Sequence, residues 1–158
     1  MGLTKRQRYY FLIYLLVFGS ISLYHYFHYR NQSEITYSQY TTKYEVTYRY
    51  IMDGDTAVFF MEDEDVTVRF LAIDTPEQGE DGSEEARIFT DKTLRNAKQI
   101  LLELDPASDT YDRYDRLLAW VWVDGELLQA KLLENHLAEI RYLYADYLYT
   151  DYLYKISN

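Results

Sequence analysis

The stretch that decides the fold covers residues 46–77 and reads VTYRYIMDGDTAVFFMEDEDVTVRFLAIDTPE. Three runs rich in β-branched and aromatic residues predict three strands: 46–52, 56–61 and 66–73. Asp53, Gly54 and Asp55 separate the first two runs and predict a turn. The acidic run 62–65 separates the second run from the third. We expect it to be a solvated hairpin loop, although a cation site is the other reading of such a run.

Arg69 stands between apolar residues of the third predicted strand. Side chains alternate along a strand, so Val66, Val68, Phe70 and Ala72 share one face and Arg69 points to the other. An arginine in such a place needs a partner or a function, and a salt bridge to a nearby acid such as Glu77 would meet that need.

Helices and one more strand follow in the second half of the chain. Ser83 is a suitable N-cap for an amphipathic helix that we expect to run to about Leu104. Leu117–Val123 predicts another strand, and a short helix follows from about Leu127 to Asn135. The order favours an α+β fold that is mainly β: a five-stranded Greek-key barrel of the OB type with two helices and a third, C-terminal helix cut short.

The N-terminal segment, residues 1–29, reads as a membrane anchor. An uncharged stretch from Tyr9 to Tyr29 follows the basic residues Lys5, Arg6 and Arg8, and its length can cross a bilayer as one transmembrane helix. The basic flank predicts a cytoplasmic N-terminus and an extracellular domain. Two alternatives stay open: cleavage near Ser20-Ile21-Ser22, which would release the domain, and a buried helix.

Residues 30–44 are polar and predict a linker, which leaves residues 45–158 as the folded domain. The formal net charge of the chain is -10, and it contains no cysteine. Disulfides and thiolate metal sites are therefore excluded. So strong a negative charge is also unsuited to tight passive binding of a polyanion, although it leaves catalysis possible where a cation and a few arginines reverse the sign locally.

Polar residues that suit phosphodiester hydrolysis cluster in four places: Asp53–Thr56, Arg69, Asp74–Glu77 and Asp112–Arg116. The reaction requires neutralisation of charge on the phosphoryl oxygens, an activated water and a stabilised leaving oxygen. Carboxylates can hold a hard cation, arginines can bind phosphate through two parallel hydrogen bonds, and a carboxylate beside the cation can activate water.

The order and spacing of these residues resemble the thermonuclease, or staphylococcal nuclease, family. Its pattern is a DGDT-type turn, then R-(x)4-D-T-P-E, then a Y-G-R segment on the next strand. Here the corresponding segments are DGDT at 53–56, RFLAIDTPE at 69–77 and DRYDRLLAWVWVDG at 112–125. The resemblance covers about residues 46–144.

This resemblance implies a role for each matching residue. Asp55 and Asp74 would bind Ca²⁺ through their carboxylates and Thr75 through its backbone carbonyl. Glu77 would act on the attacking water, while Arg69 and Arg116 would grip the scissile phosphate. The substrate-binding positions would be Arg113, Tyr114 and Tyr144.

Two departures from the family pattern concern activity and stability. Asp115 stands where the family usually has glycine, and its charge could misdirect Arg116 or repel phosphate. The C-terminal segment 150–158 is long enough only for the first turns of the family's last helix, which predicts marginal stability. His136 is also unusual, because glycine is commoner at the end of a helix.

We therefore expect a monomeric, Ca²⁺-dependent endonuclease of the micrococcal nuclease type. It would cut DNA and RNA without sequence specificity, leave 3′-phosphate products and be tethered at the outer face of a membrane. The rival hypothesis is a non-catalytic nucleic-acid-binding module of the same fold. Retention of Asp55, Arg69, Asp74, Glu77 and Arg116 favours the enzyme.

Overall fold

The structure is a computed structural model that describes Arg6, residues 18–22 and residues 41–157. The chain divides into two compact units, Met1–Tyr40 and Thr41–Asn158. Arg6 and residues 18–22 are helical, and most of the predicted membrane span lies outside the described residues. Among the residues that are described, no helix has the length and apolar character needed to cross a bilayer. The anchor therefore stays a prediction.

The second unit is built mainly from strands, with three helices among its described residues. Its elements, in chain order, are β1 (Lys43–Glu45), β2 (Thr47–Asp53), β3 (Thr56–Met61), β4 (Glu64–Phe70), β5 (Ile73–Asp74), α1 (Ser83–Arg95), β6 (Ile100–Glu103), β7 (Leu117–Val123), β8 (Glu126–Leu127), α2 (Leu128–Glu134), β9 (Glu139–Ile140) and α3 (Thr150–Ile156). Strand β1 begins at Lys43, two residues before the predicted domain boundary.

Strands β2, β3 and β4 form an antiparallel meander with two tight turns. The acidic run is part of a hairpin, as predicted, but only Glu62 and Asp63 form the loop, with φ angles of 48° and 75°. Left-handed conformations at both central residues match the twist of the flanking strands. The strand predicted for residues 66–73 therefore begins at Glu64, as β4. Residues 71–72 separate it from β5.

The main sheet has seven strands, and its path runs β1-β6-β7-β4-β3-β2 with β8 on β7. Strand β4 pairs with β7 in parallel, Arg69 opposite Leu118. Only Val46 separates the two edge strands β1 and β2, so the chain itself joins the edges. Within residues 41–157 no ladder of hydrogen bonds closes the sheet. The predicted five-stranded barrel is therefore corrected to a seven-stranded sheet that no ladder closes within the described residues, whereas the mainly β character is confirmed.

Helix α1 ends at Arg95, with Asn96 as its C-cap, and the segment predicted to continue it to Leu104 forms strand β6 instead. Residues 100–103 pair antiparallel with β7, for example Leu102 with Val121. The short apolar run Ile100–Leu102 fits either a helical or a strand pattern, and its hydrogen bonds with β7 favour the strand.

The N-cap of α1 is Gly82, in the left-handed region with φ of 88°, rather than Ser83. Ser83 is the first helical residue and donates its hydroxyl to the carbonyl of Glu80 at 2.8 Å. Glu84 and Glu85 lie in the first turn, as expected from the helix dipole.

Two buried carboxylates fasten the C-terminal segment to the sheet. Glu103 accepts hydrogen bonds from the indole of Trp122 at 2.6 Å and the hydroxyl of Tyr149 at 2.9 Å. Asp105 accepts the indole N–H of Trp120 and the backbone N–H of Leu148, each at 2.8 Å. These bonds satisfy acids that would otherwise be costly to bury. They fix the segment that carries the tyrosines of the candidate site.

Helix α2 ends in a Schellman motif with an unfavourable residue at its centre. The N–H of Leu137 donates to the carbonyl of Leu132 at 2.9 Å, and that of His136 donates to Leu133 at 3.0 Å. His136 has φ of 56°, in the left-handed region where a Cβ atom is strained.

We predict that His136→Gly raises the free energy of unfolding by about 1 kcal/mol, because glycine adopts this conformation without strain. Glu134→Gly, in the last helical turn, should instead lower it by about 1 kcal/mol. Urea denaturation measures both changes. Equal destabilisation by the two glycines would contradict the assignment of strain to residue 136.

Candidate active site

The carboxylate of Asp55 is the most enclosed acid of the site. Asp55 lies in the turn between β2 and β3 and is 5% exposed. Its Oδ1 accepts the hydroxyl of Thr56 at 3.0 Å. Its Oδ2 accepts the backbone N–H of Thr75 at 2.9 Å and the Thr75 hydroxyl at 3.1 Å. These three hydrogen bonds fix the direction of the carboxylate.

Arg69 lies beside Asp55 on strand β4 and is itself buried. Its NH1 donates to the carbonyls of Phe70 and Ile73, both at 2.8 Å. Its NH2 lies 2.9 Å from Asp74 Oδ1 and 3.1 Å from Asp55 Oδ2. The partners of Arg69 are thus two aspartates. The alternative salt bridge from Arg69 to Glu77 is not formed among the described residues. Asp55 and Asp74, the two predicted cation ligands, therefore both contact NH2 of Arg69.

Gly54 is required at its place by close packing. A Cβ atom there would lie 2.7 Å from Thr75 Oγ1 and 2.9 Å from the Cβ of Ala86 on helix α1. The carbonyl of Gly54 accepts the hydroxyl of Thr90, also on α1, at 2.7 Å. Gly54 is thus more than a turn former, because it lets α1 and Thr75 approach the turn that carries Asp55.

Strand β5 carries Asp74 and pairs antiparallel with β9, with Asp74 opposite Glu139. This pairing brings Tyr142 to the site. Its hydroxyl lies 3.3 Å from Asp74 Oδ2, and its ring centre lies 5.5 Å from the guanidinium carbon of Arg69. The charge of Asp74 raises the pKa of the Tyr142 hydroxyl. Sequence analysis missed this residue, because in a chain with 19 tyrosines no local pattern distinguishes it.

Glu77 lies three residues after Asp74 and is exposed. Its backbone N–H donates to the carboxylate of Glu80 at 2.9 Å. Among the residues from 41 to 157, no hydrogen-bond or ion-pair partner holds the Glu77 carboxylate itself. A carboxylate on the wall of the cavity and open to solvent is available to act on a water molecule.

Arg116 precedes strand β7 in a tight loop organised by Asp112. Asp112 Oδ2 lies 2.7 Å from both Nε and NH2 of Arg116. Burial alone would raise the pKa of Asp112, but the hydrogen bonds from Arg116 and Tyr114 outweigh it and lower the pKa. Asp115 has φ of 59°, the conformation that explains a glycine preference at this position. Its backbone still permits the Asp112–Arg116 pair, and whether its charge lowers activity stays a prediction.

The three predicted substrate-binding residues lie at the rim. Arg113 NH2 donates to the hydroxyl of Tyr114 at 2.6 Å, and the guanidinium of Arg113 stacks on that ring at 4.7 Å. Tyr144 is 82% exposed, and its ring centre lies 6.3 Å from that of Tyr142. Exposed rings and a cation at the mouth of a cavity suit contact with bases and phosphates.

One cavity of about 720 Å³ unites eight of the nine predicted site residues: Asp55, Arg69, Asp74, Glu77, Arg113, Tyr114, Arg116 and Tyr144. Asp112 and Tyr142 line it as well. Thr75 lies instead on a neighbouring cavity of about 530 Å³, which also borders Asp74 and Glu77. Segments far apart in sequence therefore converge on one cavity, near the point where β3, β4 and β7 meet.

The chemistry of this cavity suits a hard cation. Asp55 and Asp74 approach the same guanidinium nitrogen, and Ca²⁺ prefers such oxygen ligands. Within the described part of the chain, no group of three or more acidic or histidine side chains is placed to hold a metal. A Ca²⁺ ion would therefore need carbonyl oxygens and water besides the two carboxylates. Burial and the nearby negative charges raise the pKa of Asp53, a third acid at the edge of the site.

Comparison with known proteins establishes the family. The family described as "Staphylococcal nuclease homologue" matches residues 67–157, which carry Arg69, Asp74, Glu77 and Arg116. The chain belongs to this family, as the sequence motifs predicted.

Three curated relatives share this domain. Endonuclease YncB of Bacillus subtilis (strain 168) is 38% identical over 105 residues, which cover 60% of this chain and 47% of that protein. SPbeta prophage-derived endonuclease YokF of the same organism is 39% identical over 106 residues, covering 61% and 34%. Thermonuclease of Staphylococcus hyicus is 34% identical over 105 residues, covering 61% and 60%. The match spans less than two thirds of each relative.

We predict that Gly54→Ala destabilises the domain by about 1–3 kcal/mol, because the added methyl group overpacks the contact among the turn, Thr75 and α1. It should also weaken Ca²⁺ binding, since displacing Thr75 removes two donors from Asp55. Thermal unfolding and calorimetric titration with Ca²⁺ measure the two effects. A variant with unchanged stability would contradict the close approach.

Proposed function

We propose that this chain is a Ca²⁺-dependent phosphodiesterase that hydrolyses nucleic acid. The observation that carries the proposal is the convergence of Arg69, Asp55 and Asp74 in the cavity that Arg116 and Glu77 also line. The proteins that match it are named as endonucleases and thermonucleases, which supports a nuclease. The finer features of the reaction rest on the resemblance and on the chemistry of the residues.

Asp55 and Asp74 would hold the cation through their carboxylates, and Thr75 would do so through its backbone carbonyl. Bound there, Ca²⁺ would neutralise charge that develops on the phosphoryl oxygens. Thr75 has a second task, because its N–H and hydroxyl orient Asp55.

Arg69 and Arg116 would bind the scissile phosphate. Arg116 would do so by paired N–H donors, which a planar guanidinium supplies and an ammonium does not. NH1 and NH2 of Arg69 already contact acceptors of the protein, so Arg69 would offer Nε or exchange an aspartate contact for the phosphate. In the structure both already donate to aspartates, so their direction is set before substrate arrives. Preorganised donors act on developing charge without having to reorganise during the reaction. Arg116 would also stabilise the leaving oxygen.

Glu77 would orient the attacking water and accept its proton, which an exposed carboxylate without a partner can do. Water would then add to phosphorus as the bond between phosphorus and the 5′ oxygen breaks. The products are a 3′-phosphate on one fragment and a 5′-hydroxyl on the other. Arg113, Tyr114 and Tyr144 would contact the flanking nucleotide through charge and stacking, modes that do not distinguish base sequence. DNA and RNA are both proposed as substrates.

The N-terminal segment would tether the domain to the outer face of a membrane. The basic residues Lys5, Arg6 and Arg8 and the uncharged stretch after them support this proposal. Release of the domain by cleavage is the alternative that the same stretch allows.

Digestion of single-stranded DNA by the full chain, with Ca²⁺ and then with a chelator, tests the proposal. We expect digestion only with Ca²⁺ and a loss of roughly two to three orders of magnitude in kcat for Arg116→Ala. Glu77→Gln should lose most turnover while Ca²⁺-dependent nucleotide binding persists, since only the proton acceptor is removed.

Glu134→Gln, an exposed acid at the end of α2, is the matched control and should digest DNA like the wild type. Full turnover by Glu77→Gln would remove the water-activating role of that residue. A folded wild-type chain that binds nucleotide but digests nothing would favour the binding module.

A further inference from the structure

Asp112 makes more contacts within the site loop than a turn residue needs. Its Oδ1 accepts the backbone N–H groups of Tyr114 at 2.9 Å and Arg116 at 3.0 Å. Its Oδ2 binds Nε and NH2 of Arg116, both at 2.7 Å. One carboxylate thus organises the loop backbone with one oxygen and holds the guanidinium with the other.

We propose that Asp112 is the positioning residue of Arg116, an inference that rests on the proposed phosphodiesterase function. Through Oδ2 it fixes the edge of the guanidinium formed by Nε and NH2. Within residues 41–157 no acceptor engages NH1 of Arg116, so this nitrogen and the outer N–H of NH2 stay available for a phosphate. The arrangement selects one rotamer of a long side chain whose freedom would otherwise be large.

The surroundings of the pair support a positioning role. The Tyr114 ring centre lies 5.3 Å from the guanidinium carbon of Arg116, and Asp112 holds the backbone of Tyr114 as well. The backbone N–H of Asp112 donates to the carbonyl of Arg116 at 3.0 Å, which closes the loop on itself. The backbone of Arg116 and one neighbour of its guanidinium are therefore both held by Asp112.

The pair has an electrostatic consequence for binding. Asp112 cancels much of the charge that Arg116 would present to a polyanion. The contact therefore orients the guanidinium but weakens its attraction for phosphate. Loss of the carboxylate should therefore strengthen binding of the ground state and weaken catalysis, because the freed arginine attracts phosphate but is misplaced for the transition state. A residue with a merely structural role would not separate these two quantities.

Asp112→Asn separates the two functions of the side chain. The amide oxygen can still accept the N–H groups of Tyr114 and Arg116, so the loop is retained. The amide nitrogen would face Nε of Arg116, donor against donor, and release the guanidinium. Asp112→Ser is the second variant, since its hydroxyl can accept the same backbone donors but does not replace the second oxygen.

The experiment measures kcat and KM of Ca²⁺-dependent DNA digestion by the full chain, together with the ¹⁵N NMR signal of the Arg116 Nε–H. For both variants we expect kcat to fall on the order of 10²-fold with KM unchanged or lower. The slowly exchanging Nε–H signal of the wild type should be lost. Asp65→Asn is the matched control, because it frees the exposed Arg49 and removes the same charge outside the cavity.

Three outcomes would overturn the inference or its premise. An Arg116 Nε–H signal that is unchanged in both variants would show that Asp112 does not hold the arginine. Wild-type kcat in variants that have lost the signal would show that its position does not matter. A folded wild-type chain without any turnover would overturn the proposed function itself, a result distinguishable from the first because the NMR signal is read independently of activity.

Discussion

Arg69 joins three segments of the chain through one buried guanidinium group. Its side chain is 10% exposed and contacts Asp55 from the β2–β3 turn and Asp74 from strand β5, besides two backbone carbonyls. Removing one member of such a buried group typically costs about 3–5 kcal/mol, since a charge is left unpaired. The position of Asp55, the course of β5 and the direction of Asp74 all depend on this contact, and so does the candidate cation site.

The elements nearest this contact could be predicted from the sequence, because their signals are local. The runs of β-branched and aromatic residues predicted β3 and β4, and the acidic run predicted the hairpin loop between them. The position of Arg69 between apolar neighbours showed that it needed a buried partner. The motif spacing then indicated which segments converge, and eight of the nine predicted residues line one cavity.

Long-range pairing determined what the sequence did not reveal. Strand β6 forms because β7 offers it a ladder, so the predicted helix stops at Arg95. Tyr142 reaches Asp74 only through the pairing of β9 with β5, and Asp112 acquires its role from a loop whose geometry depends on a left-handed residue. The two edge strands of the sheet, β1 and β2, are joined by the chain at Val46 and not by hydrogen bonds between them. No local sequence pattern encodes this arrangement.

The most direct test of the account is the free energy of unfolding as a function of Ca²⁺ concentration, in the wild type, Asp74→Asn and Asp63→Asn. If Asp55 and Asp74 hold the cation, the wild type gains about 2.7 kcal/mol at a concentration one hundred times the Kd. Asp63→Asn, in the acidic hairpin, should gain as much, and Asp74→Asn should gain little. Equal stabilisation of all three proteins, or loss of the gain in Asp63→Asn alone, would contradict the account.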